Sequence, residues 1–412
     1  MELRSLSVKR YKSYRGDTSV EIAPLTILVG ANNSGKTALA QAFHLLASSL
    51  APSGDDIREP LLMSSGGVRH GRTFVDLVNR HSVHGRLSLS AVLVHEGSES
   101  SLSVTVQNVL RPSKPSERQI LKWSFSSGSD RIEARRKVLD QQSPYEVSVS
   151  GGETSRHQIN WLGLLPRKPH QLPDWVDAQA EEIRKWANGV RYLECPRSFS
   201  SSRFTIEEPI SSVHEAKGAA APIILVADDD LRGSVREWYH KAFEVSLNVR
   251  TEGRYFDLIV GSPAHGSDVL LGQSGGGLSQ VLPVVVTALT AKQAGPGVDI
   301  IEHPEAELHP AAHAHVAELL LSNLSGSARP MIIETHSEMI LLRARRWIAE
   351  GRLPHDHVAV YWINTEPEHG SVLQKITIND CGEMSSWPDG VFSEDYEEVL
   401  AIRRASVRNM GR

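Results

Sequence analysis

Eight residues near the N-terminus constrain the fold of this chain more than any other segment. Residues 30–37 read Gly-Ala-Asn-Asn-Ser-Gly-Lys-Thr, which matches the G-x-x-x-x-G-K-[ST] pattern of a phosphate-binding loop. The preceding residues 25–29 predict a buried strand, and the Ala- and Leu-rich residues 36–49 predict a helix. An ordinary glycine-rich turn would explain the glycines but not the Lys-Thr pair at this spacing. The segment therefore predicts the opening of a nucleotide-binding α/β core.

The loop also defines the first set of candidate binding residues. Backbone N–H groups of such a loop, and of the helix that follows it, converge on phosphate oxygens. We expect Lys36 to place a positive charge at the terminal phosphates of ATP, and Thr37 to supply a hydroxyl ligand for Mg²⁺. The candidate nucleotide-binding residues of this loop are Gly30, Asn32, Asn33, Ser34, Gly35, Lys36 and Thr37.

Composition excludes several classes of function. The 412 residues include 44 Lys and Arg against 49 Asp and Glu, so any DNA site must be a local patch rather than a global basic field. The two cysteines, Cys195 and Cys381, have no zinc-ligand spacing and form no disulfide framework. No segment approaches the ~18 apolar residues of a spanning helix, and the N-terminus lacks the apolar region of a secretion signal. We therefore expect a cytoplasmic protein without a membrane partner.

Periodicity predicts further elements of the first half. Residues 3–14 and 19–22 alternate as a pair of strands before the loop. Residues 87–94 and 102–106 alternate in the same way and predict an inserted antiparallel sheet. Residues 174–188 have helical spacing. The predicted apolar face of this helix consists of Trp175, Ala178, Ile183 and Trp186.

Three consecutive acids, residues 228–230, admit two interpretations. They are either a carboxylate cluster of a metal-dependent nuclease or the N-terminal acids of a helix predicted over residues 231–245. Acids at a helix N-terminus accept hydrogen bonds from free N–H groups and interact favourably with the helix dipole. We favour the helix cap because the helical pattern follows directly.

A second group of motifs lies far downstream of the loop. Residues 271–280 form a Gly-rich loop before an apolar helix predicted over residues 281–291. Residues 297–305 and 330–337 each contain an apolar strand, one ending in acids and the other in a Glu-Thr-His-Ser turn. An acid at such a strand end is what Mg²⁺ requires beside a phosphate-binding loop. We therefore expect these strand ends to face the loop.

The order of these motifs resembles that of the ABC-type ATPases of the SMC-like and OLD-like (overcoming lysogenization defect) branch of AAA proteins. The resemblance includes the Leu-His-Pro sequence at residues 308–310. Residues 192–197 and 387–392 resemble segments of the small bacterial members, which have a short C-terminal domain and no Toprim nuclease.

The resemblance implies a mechanism in which two heads bind two ATP molecules, with ATP and Mg²⁺ as cofactors and a homodimer in the ATP state. The phosphate-binding loop of one head would face the Gly-rich signature loop of the other. Glu302 matches the acid that holds Mg²⁺ together with Thr37, and His336 matches the histidine that senses the γ-phosphate. The signature residues that would act on the partner's ATP are Ser274, Gly275, Gly276 and Ser279.

One departure from the family pattern concerns the general base. Many relatives have a catalytic glutamate directly after the acid at position 302, but this chain has His303. Three alternatives remain open: His303 is the base, it orients water while Glu305 takes the proton, or the site hydrolyses very slowly and acts as an ATP-held switch. The candidate catalytic residues are Glu302, His303, Glu305 and His336. We predict slow hydrolysis.

The chain after His336 contains no predicted strand ending in the Asp-x-Asp pair that a Toprim nuclease needs. The acidic residues 393–398 have the pattern of a helix start instead. We therefore expect an ATPase that regulates or senses for a separate effector, a nuclease or toxin, in bacterial anti-phage defence. The alternative is a DNA-clamping repair or recombination ATPase; a transporter subunit is a third hypothesis.

The predicted fold is α/β, a P-loop NTPase head of the ABC type with a flanking antiparallel sheet and an inserted mixed α/β region. Four segments are expected. They are an N-terminal lobe with the phosphate-binding loop (residues 1–51), an inserted sheet and helical region (52–190), a C-terminal lobe with the signature, the acids and the histidine switch (191–345), and a small C-terminal cap (346–412).

Overall fold

The computed structural model describes residues 1–52, 59–111, 114–137, 143–197, 203–205, 216–261, 266, 268–324, 329–386 and 402–403. The predictions for residues 387–392 and 393–398 lie outside the described residues. The strands are β1 Glu2–Tyr11, β2 Tyr14–Glu21, β3 Leu25–Gly30, β4 Ser64–Ser65, β5 Val68–Arg69, β6 Arg86–His95, β7 Ser98–Arg111, β8 Lys114–Ser127, β9 Asp130–Arg135, β10 Tyr145–Val149, β11 Ser155–His157, β12 Asn160–Leu162, β13 Leu165–Arg167, β14 Arg191–Leu193, β15 Arg203–Thr205, β16 Ser246–Glu252, β17 Tyr255–Gly261, β18 Asp268–Leu270, β19 Asp299–Glu302, β20 Met331–Glu334, β21 Val358–Glu366 and β22 Gly370–Ile376. The α-helices are α1 Lys36–Leu50, α2 Asp174–Asn188, α3 Ala221–Ala227, α4 Asp229–Phe243, α5 Gly276–Leu289, α6 Pro310–Leu324 and α7 Glu338–Ala349.

One large sheet organises the described part of the chain. Its strand order is β11-β10-β9-β8-β7-β6-β1-β2-β22-β21-β3-β20-β19-β14. The strands from β21 to β14 pair in parallel, whereas the others pair antiparallel. The antiparallel strands of the inserted region therefore continue the sheet of the nucleotide-binding segment through β1. The hairpin of β21 and β22, from the expected C-terminal cap, lies within the same sheet.

Apolar side chains cover both faces of the parallel part of the sheet. Every residue of β3, β19 and β20 is buried, as expected for parallel strands with helices on both sides. Leu28 of β3 belongs to the core that includes α1 and α2, whereas its neighbours Ile27 and Val29 belong to the core that includes α5, α6 and α7. Side chains that alternate along the strand thus contact opposite layers.

Most of the predicted elements are present with shifted ends. The strand pair before the loop is the antiparallel pair of β1 and β2, and α2 has its predicted bounds. The helix predicted after the signature loop begins earlier, at Gly276. The prediction that Ala178 lies on the apolar face of α2 is wrong, because Ala178 is exposed while Val176 and Ala180, two positions to either side, are buried.

The helix-cap interpretation of the three acids agrees with the geometry of α4. The Asp228 side chain accepts a hydrogen bond from the Leu231 backbone N–H at 2.9 Å, which satisfies one of the free N–H groups of the first turn. Asp229 and Asp230 lie in that first turn. No helix in the described part of the chain has both the length and the apolar character needed to cross a bilayer.

A buried ion cluster joins the ends of β14, β19 and α5 opposite the loop. The Asp299 carboxylate accepts hydrogen bonds from Arg191 Nε and from Arg329 Nε, both at 2.7 Å. Arg191 also donates to the backbone oxygen of Thr287, in the last turn of α5, at 2.9 Å. All three charged side chains are at most 4% exposed. One carboxylate therefore pairs with two guanidinium groups inside the protein.

Asp299→Asn leaves both buried guanidinium groups beside an uncharged amide. We expect the free energy of unfolding to fall by about 3–5 kcal/mol, because a buried charge without its partner keeps its desolvation cost. Urea denaturation followed by tryptophan fluorescence measures the change. Glu182→Gln is the matched control, since it removes the acid of an exposed pair with Lys185 and should leave the midpoint in place. Equal midpoints for the two variants would contradict the role of the cluster.

Candidate nucleotide-binding site

The register of three parallel strands assembles the candidate site. Glu334, the last residue of β20, pairs with Leu28 of β3 on one side and with Glu302 of β19 on the other. Since parallel strands end at a common edge, the phosphate-binding loop that follows β3 lies beside both acids. The strand ends therefore converge as the sequence predicts.

Two glycines of the loop occupy backbone conformations and spaces that other residues do not tolerate. Gly30 has φ of 156° and Gly35 has φ of 107°. A Cβ at Gly30 would lie 2.2 Å from the backbone oxygen of Ile363, and one at Gly35 would lie 2.5 Å from Ser371 Oγ. Both contacts come from the β21–β22 hairpin, so the loop is shaped by close packing against residues distant in sequence.

Lys36 lies over its own loop. Its Nζ donates hydrogen bonds to the backbone oxygens of Gly30, at 3.0 Å, and of Ala31, at 2.9 Å. Burial lowers the pKa of Lys36, and the Glu334 carboxylate partly offsets this. The Lys36 ammonium has three donors, so one remains for a further acceptor.

Thr37 is exposed at the first turn of α1. Its Oγ1 donates a hydrogen bond to Glu334 Oε1 at 2.7 Å. The candidate magnesium hydroxyl is thus in contact with a strand-end carboxylate that sequence reasoning did not include among the site residues.

Glu302 is held by β14 and by the segment that follows it. One of its oxygens accepts a hydrogen bond from Tyr192 OH, and Oε2 accepts one from the Cys195 backbone N–H at 3.0 Å. Burial raises the pKa of Glu302, and these two hydrogen bonds oppose that rise. The nearly fully buried Arg197 donates to the backbone oxygens of Glu302 and His303. Residues 192–197 therefore support the acid and the turn that follows it.

His303 lies between two carboxylates and against a second imidazole. Its Nδ1 is 3.9 Å from Glu305 Oε1, and its Nε2 is 3.7 Å from Glu334 Oε1. Its ring stacks on that of His336, with centroids 5.0 Å apart and planes 8° from parallel. Burial lowers the pKa of His303, but the neighbouring carboxylates outweigh this and raise it overall. The backbone N–H of His303 also donates to the Glu334 backbone oxygen at 2.7 Å.

Glu305 holds the histidine turn. Its Oε1 accepts hydrogen bonds from Thr335 Oγ1, at 2.7 Å, and from the His336 backbone N–H, at 2.9 Å. Burial raises the pKa of Glu305, but the hydrogen bonds outweigh it and the pKa is lowered overall. Glu305 therefore anchors the backbone of the histidine turn.

The signature residues lie at the start of α5, on a loop of their own. Gly275 is the N-terminal flanking residue of the helix, and Gly276 is its first residue. Ser274 Oγ donates to the Leu271 backbone oxygen at 2.6 Å, and Ser279 Oγ donates to that of Gly276 at 2.9 Å. These hydroxyls are thus engaged within the signature segment rather than with the phosphate-binding loop.

A cavity of about 460 Å³ opens beside the phosphate-binding loop. Lys12 and Asp76 line it together with residues 33–38. Burial lowers the pKa of Lys12 to about 8, and Glu302 and Asp76 oppose that shift. The Asp76 carboxylate accepts hydrogen bonds from the Arg72 and Thr73 backbone N–H groups, so it mainly stabilises its own turn.

Three contributors to the site were missed by sequence reasoning. Glu334 is the first residue of the Glu-Thr-His-Ser turn, and its position at the end of an apolar strand is the signal that identifies it. Tyr192 and Arg197 lie in the segment 192–197 that resembles the family, but their contact with Glu302 and His303 depends on the pairing of β14 with β19. The donor set of one hydroxyl and adjacent carboxylates suits Mg²⁺, a hard cation that prefers oxygen ligands.

Comparison with known proteins bears on the family of residues 1–80 and on the fold. Residues 1–80 match the family model of the AAA ATPase domain. No curated protein has significant sequence similarity to the chain. An SMC head bound to the C-winged helix domain of ScpA superposes with a TM-score of 0.52 at 13% identity, over 92% of this chain and 98% of that one.

Two further SMC heads align over most of the chain with lower scores. The SMC head domain from Thermotoga maritima has a TM-score of 0.44 at 12% identity, over 92% of this chain and 100% of that one. The Pyrococcus furiosus Smc head with an extended coiled coil, bound to the C-terminal domain of ScpA, has 0.46 at 11%, over 98% and 99%. The predicted α/β fold class is confirmed: the chain shares the fold of the SMC head that superposes with a TM-score of 0.52, and residues 1–80 match the AAA ATPase domain model.

Proposed function

We propose that this protein is an ATP-binding, slowly hydrolysing ABC-type ATPase that dimerises around ATP and regulates a separate effector. The observation that carries the proposal is the meeting, at one sheet edge, of the phosphate-binding loop with the acids and histidines that end β19 and β20. An ordinary structural loop would not need Lys36 and Thr37 beside buried carboxylates.

The residues present fit ATP and Mg²⁺. Backbone N–H groups at the start of α1 would bind the phosphates, and Lys36 would exchange a loop carbonyl for a terminal phosphate oxygen. Thr37 and Glu302 would hold Mg²⁺, which when bound neutralises charge on the β- and γ-phosphates. His336 would contact the γ-phosphate side of the nucleotide.

The signature loop supports a two-headed arrangement. The first N–H groups of α5 have no partner within the helix and favour an anion. Because the Ser274 and Ser279 hydroxyls stay within their own segment, the loop would serve ATP bound to a second head. Ser274, Gly275, Gly276 and Ser279 would then complete the partner's site.

The position of His303 supports the proposal of slow hydrolysis. Both ring nitrogens face carboxylates, and the ring stacks on His336. Such a group is positioned by its neighbours and is poorly placed to activate water. Glu305 already accepts two hydrogen bonds from the histidine turn.

Lys36→Ala is the direct test of nucleotide binding. We expect the affinity for a fluorescent ATP analogue to fall by about 100-fold, since a charge-assisted phosphate contact is lost. Fluorescence anisotropy measures the dissociation constant. Lys9→Ala removes an exposed lysine from β1 and is the matched control. Equal affinities for both variants would refute the assignment of the loop.

His303→Glu tests the slow-hydrolysis proposal. A carboxylate in this position would act as a general base, and we expect phosphate release under single-turnover conditions to rise about tenfold or more. His84→Glu, at an exposed position, is the control for the charge change. Fast hydrolysis by the wild-type protein that declines on the His303 substitution would sink this proposal.

The C-terminal strands that the structure describes belong to the ATPase fold. Strands β21 and β22, which follow the histidine turn, pair with β3 and β2 within the nucleotide-binding sheet. The proposed regulatory role places nuclease or toxin activity on a separate effector, with anti-phage defence as the proposed setting.

Wild-type protein kept with a non-hydrolysable ATP analogue tests the partner. Purified from its native host with nuclease treatment, it should retain a stoichiometric nuclease or toxin that mass spectrometry identifies. The Lys36→Ala variant should lose that protein, because it binds the nucleotide weakly. Recovery of no partner protein, together with duplex DNA when nuclease is omitted, would instead favour the DNA-clamping alternative, whose DNA affinity should fall steeply with salt.

A further inference from the structure

Glu334 is the acid that contacts Thr37, whose hydroxyl is the candidate ligand for Mg²⁺. It ends β20 between the loop strand β3 and the acid strand β19, and it is 2% exposed. Its Oε1 accepts a hydrogen bond from Thr37 Oγ1 at 2.7 Å. Its Oε2 has no hydrogen-bond partner among the described residues.

The neighbouring acid Glu302 is already engaged. Its two oxygens accept hydrogen bonds from Tyr192 OH and from the Cys195 N–H. Both donors lie on the β14 side of the site, away from Thr37. Of the two carboxylates at the same register of adjacent strands, Glu334 is the one that contacts Thr37.

The unpaired oxygen of Glu334 is available to a cation. Lys36 Nζ is hydrogen-bonded to two backbone oxygens of its own loop, and His303 Nε2 lies 3.7 Å from Oε1. Leaving a charged oxygen buried without a partner is costly. The geometry therefore provides a strong acceptor beside an exposed hydroxyl.

A threonine hydroxyl has one proton and two lone pairs. While its proton is donated to Glu334, a lone pair of Thr37 Oγ1 can bind a metal ion. Glu334 thus orients the hydroxyl as a ligand and adds negative charge next to the ion. Carboxylates that accept a hydrogen bond from a metal ligand commonly tune metal affinity in this way.

We propose that Glu334 is the carboxylate that couples Mg²⁺ to nucleotide binding: it fixes Thr37 as a ligand and presents Oε2 to the ion or to its bound water. Glu302, held by residues 192–197, supports the site from the opposite side. This proposal rests on the proposed binding of ATP with Mg²⁺ and adds a residue that the motif pattern does not assign.

Nucleotide affinity measured with Mg²⁺ and with EDTA tests the proposal without any hydrolysis. The ratio of the two dissociation constants reports the coupling between metal and nucleotide. We expect Glu334→Gln to reduce this ratio about 10–100-fold while the affinity in EDTA stays near the wild-type value. Glu302→Gln should reduce the ratio less. A second readout is Mn²⁺ paramagnetic resonance with ADP, in which Glu334→Gln should bind less Mn²⁺.

The outcomes are separable. A wild-type ratio for Glu334→Gln, or a larger loss for Glu302→Gln, would overturn the proposal. Absence of ATP binding by the wild-type protein in both solutions would instead remove the proposed function itself.

Thermal melting without nucleotide excludes a merely structural role. In Glu334→Gln the introduced amide oxygen can still accept from Thr37, and the substitution removes a charge beside Glu302, so we expect a melting temperature at or above that of the wild type. If Glu334→Gln melts at a lower temperature, Glu334→Asp is the second variant to test. Its shorter side chain keeps the negative charge but moves the carboxylate away from Thr37, so we expect the same loss of coupling between Mg²⁺ and nucleotide. An unchanged coupling ratio in Glu334→Asp would then count against the proposal.

Discussion

Parallel pairing of β20 with β3 and with β19 positions nearly every group of the candidate site. The pairing places Leu28, Glu334 and Glu302 at one level of the sheet, and the loop and turns that follow these strands inherit that alignment. A shift of one residue in either pair would turn Glu334 toward the opposite face and separate it from Thr37.

The site then poses an electrostatic problem. Glu302, Glu305 and Glu334 are all buried within one edge of the sheet. Glu302 accepts hydrogen bonds from Tyr192 OH and from the Cys195 N–H. Glu305 accepts hydrogen bonds from Thr335 Oγ1 and from the His336 N–H. The Glu334 carboxylate accepts a hydrogen bond from the Thr37 hydroxyl. Glu305 and Glu334 each have one buried oxygen without a hydrogen-bond partner among the described residues, but it is Glu334 that contacts Thr37.

Sequence alone predicts the local parts of this arrangement. The loop, the strands before each motif and the bounds of α2 follow from patterns within about 15 residues, where spacing and composition are decisive. The predicted apolar face of α2 is wrong at Ala178 because periodicity does not show how the helix is rotated against the sheet.

Contacts between distant segments lie outside such patterns. The contact of Thr37 with Glu334 joins residues on different elements, and the direction in which Glu302 points depends on Tyr192 and Cys195. Likewise, the wide sheet that unites β11 with β14 could not be derived from strand patterns, which show alternation but not which strands pair.

The close packing of the β21–β22 hairpin against the phosphate-binding loop has a consequence for how the protein folds. The Ser371 hydroxyl donates to the Ser34 backbone oxygen at 2.5 Å, and the Ser371 backbone N–H donates to that of Ser13 at 3.0 Å. These contacts span most of the chain, so their loop-closure entropy is high. During synthesis the loop residues leave the ribosome long before the hairpin that shapes them. A nascent chain therefore acquires this loop conformation only after the residues of the β21–β22 hairpin have been synthesised.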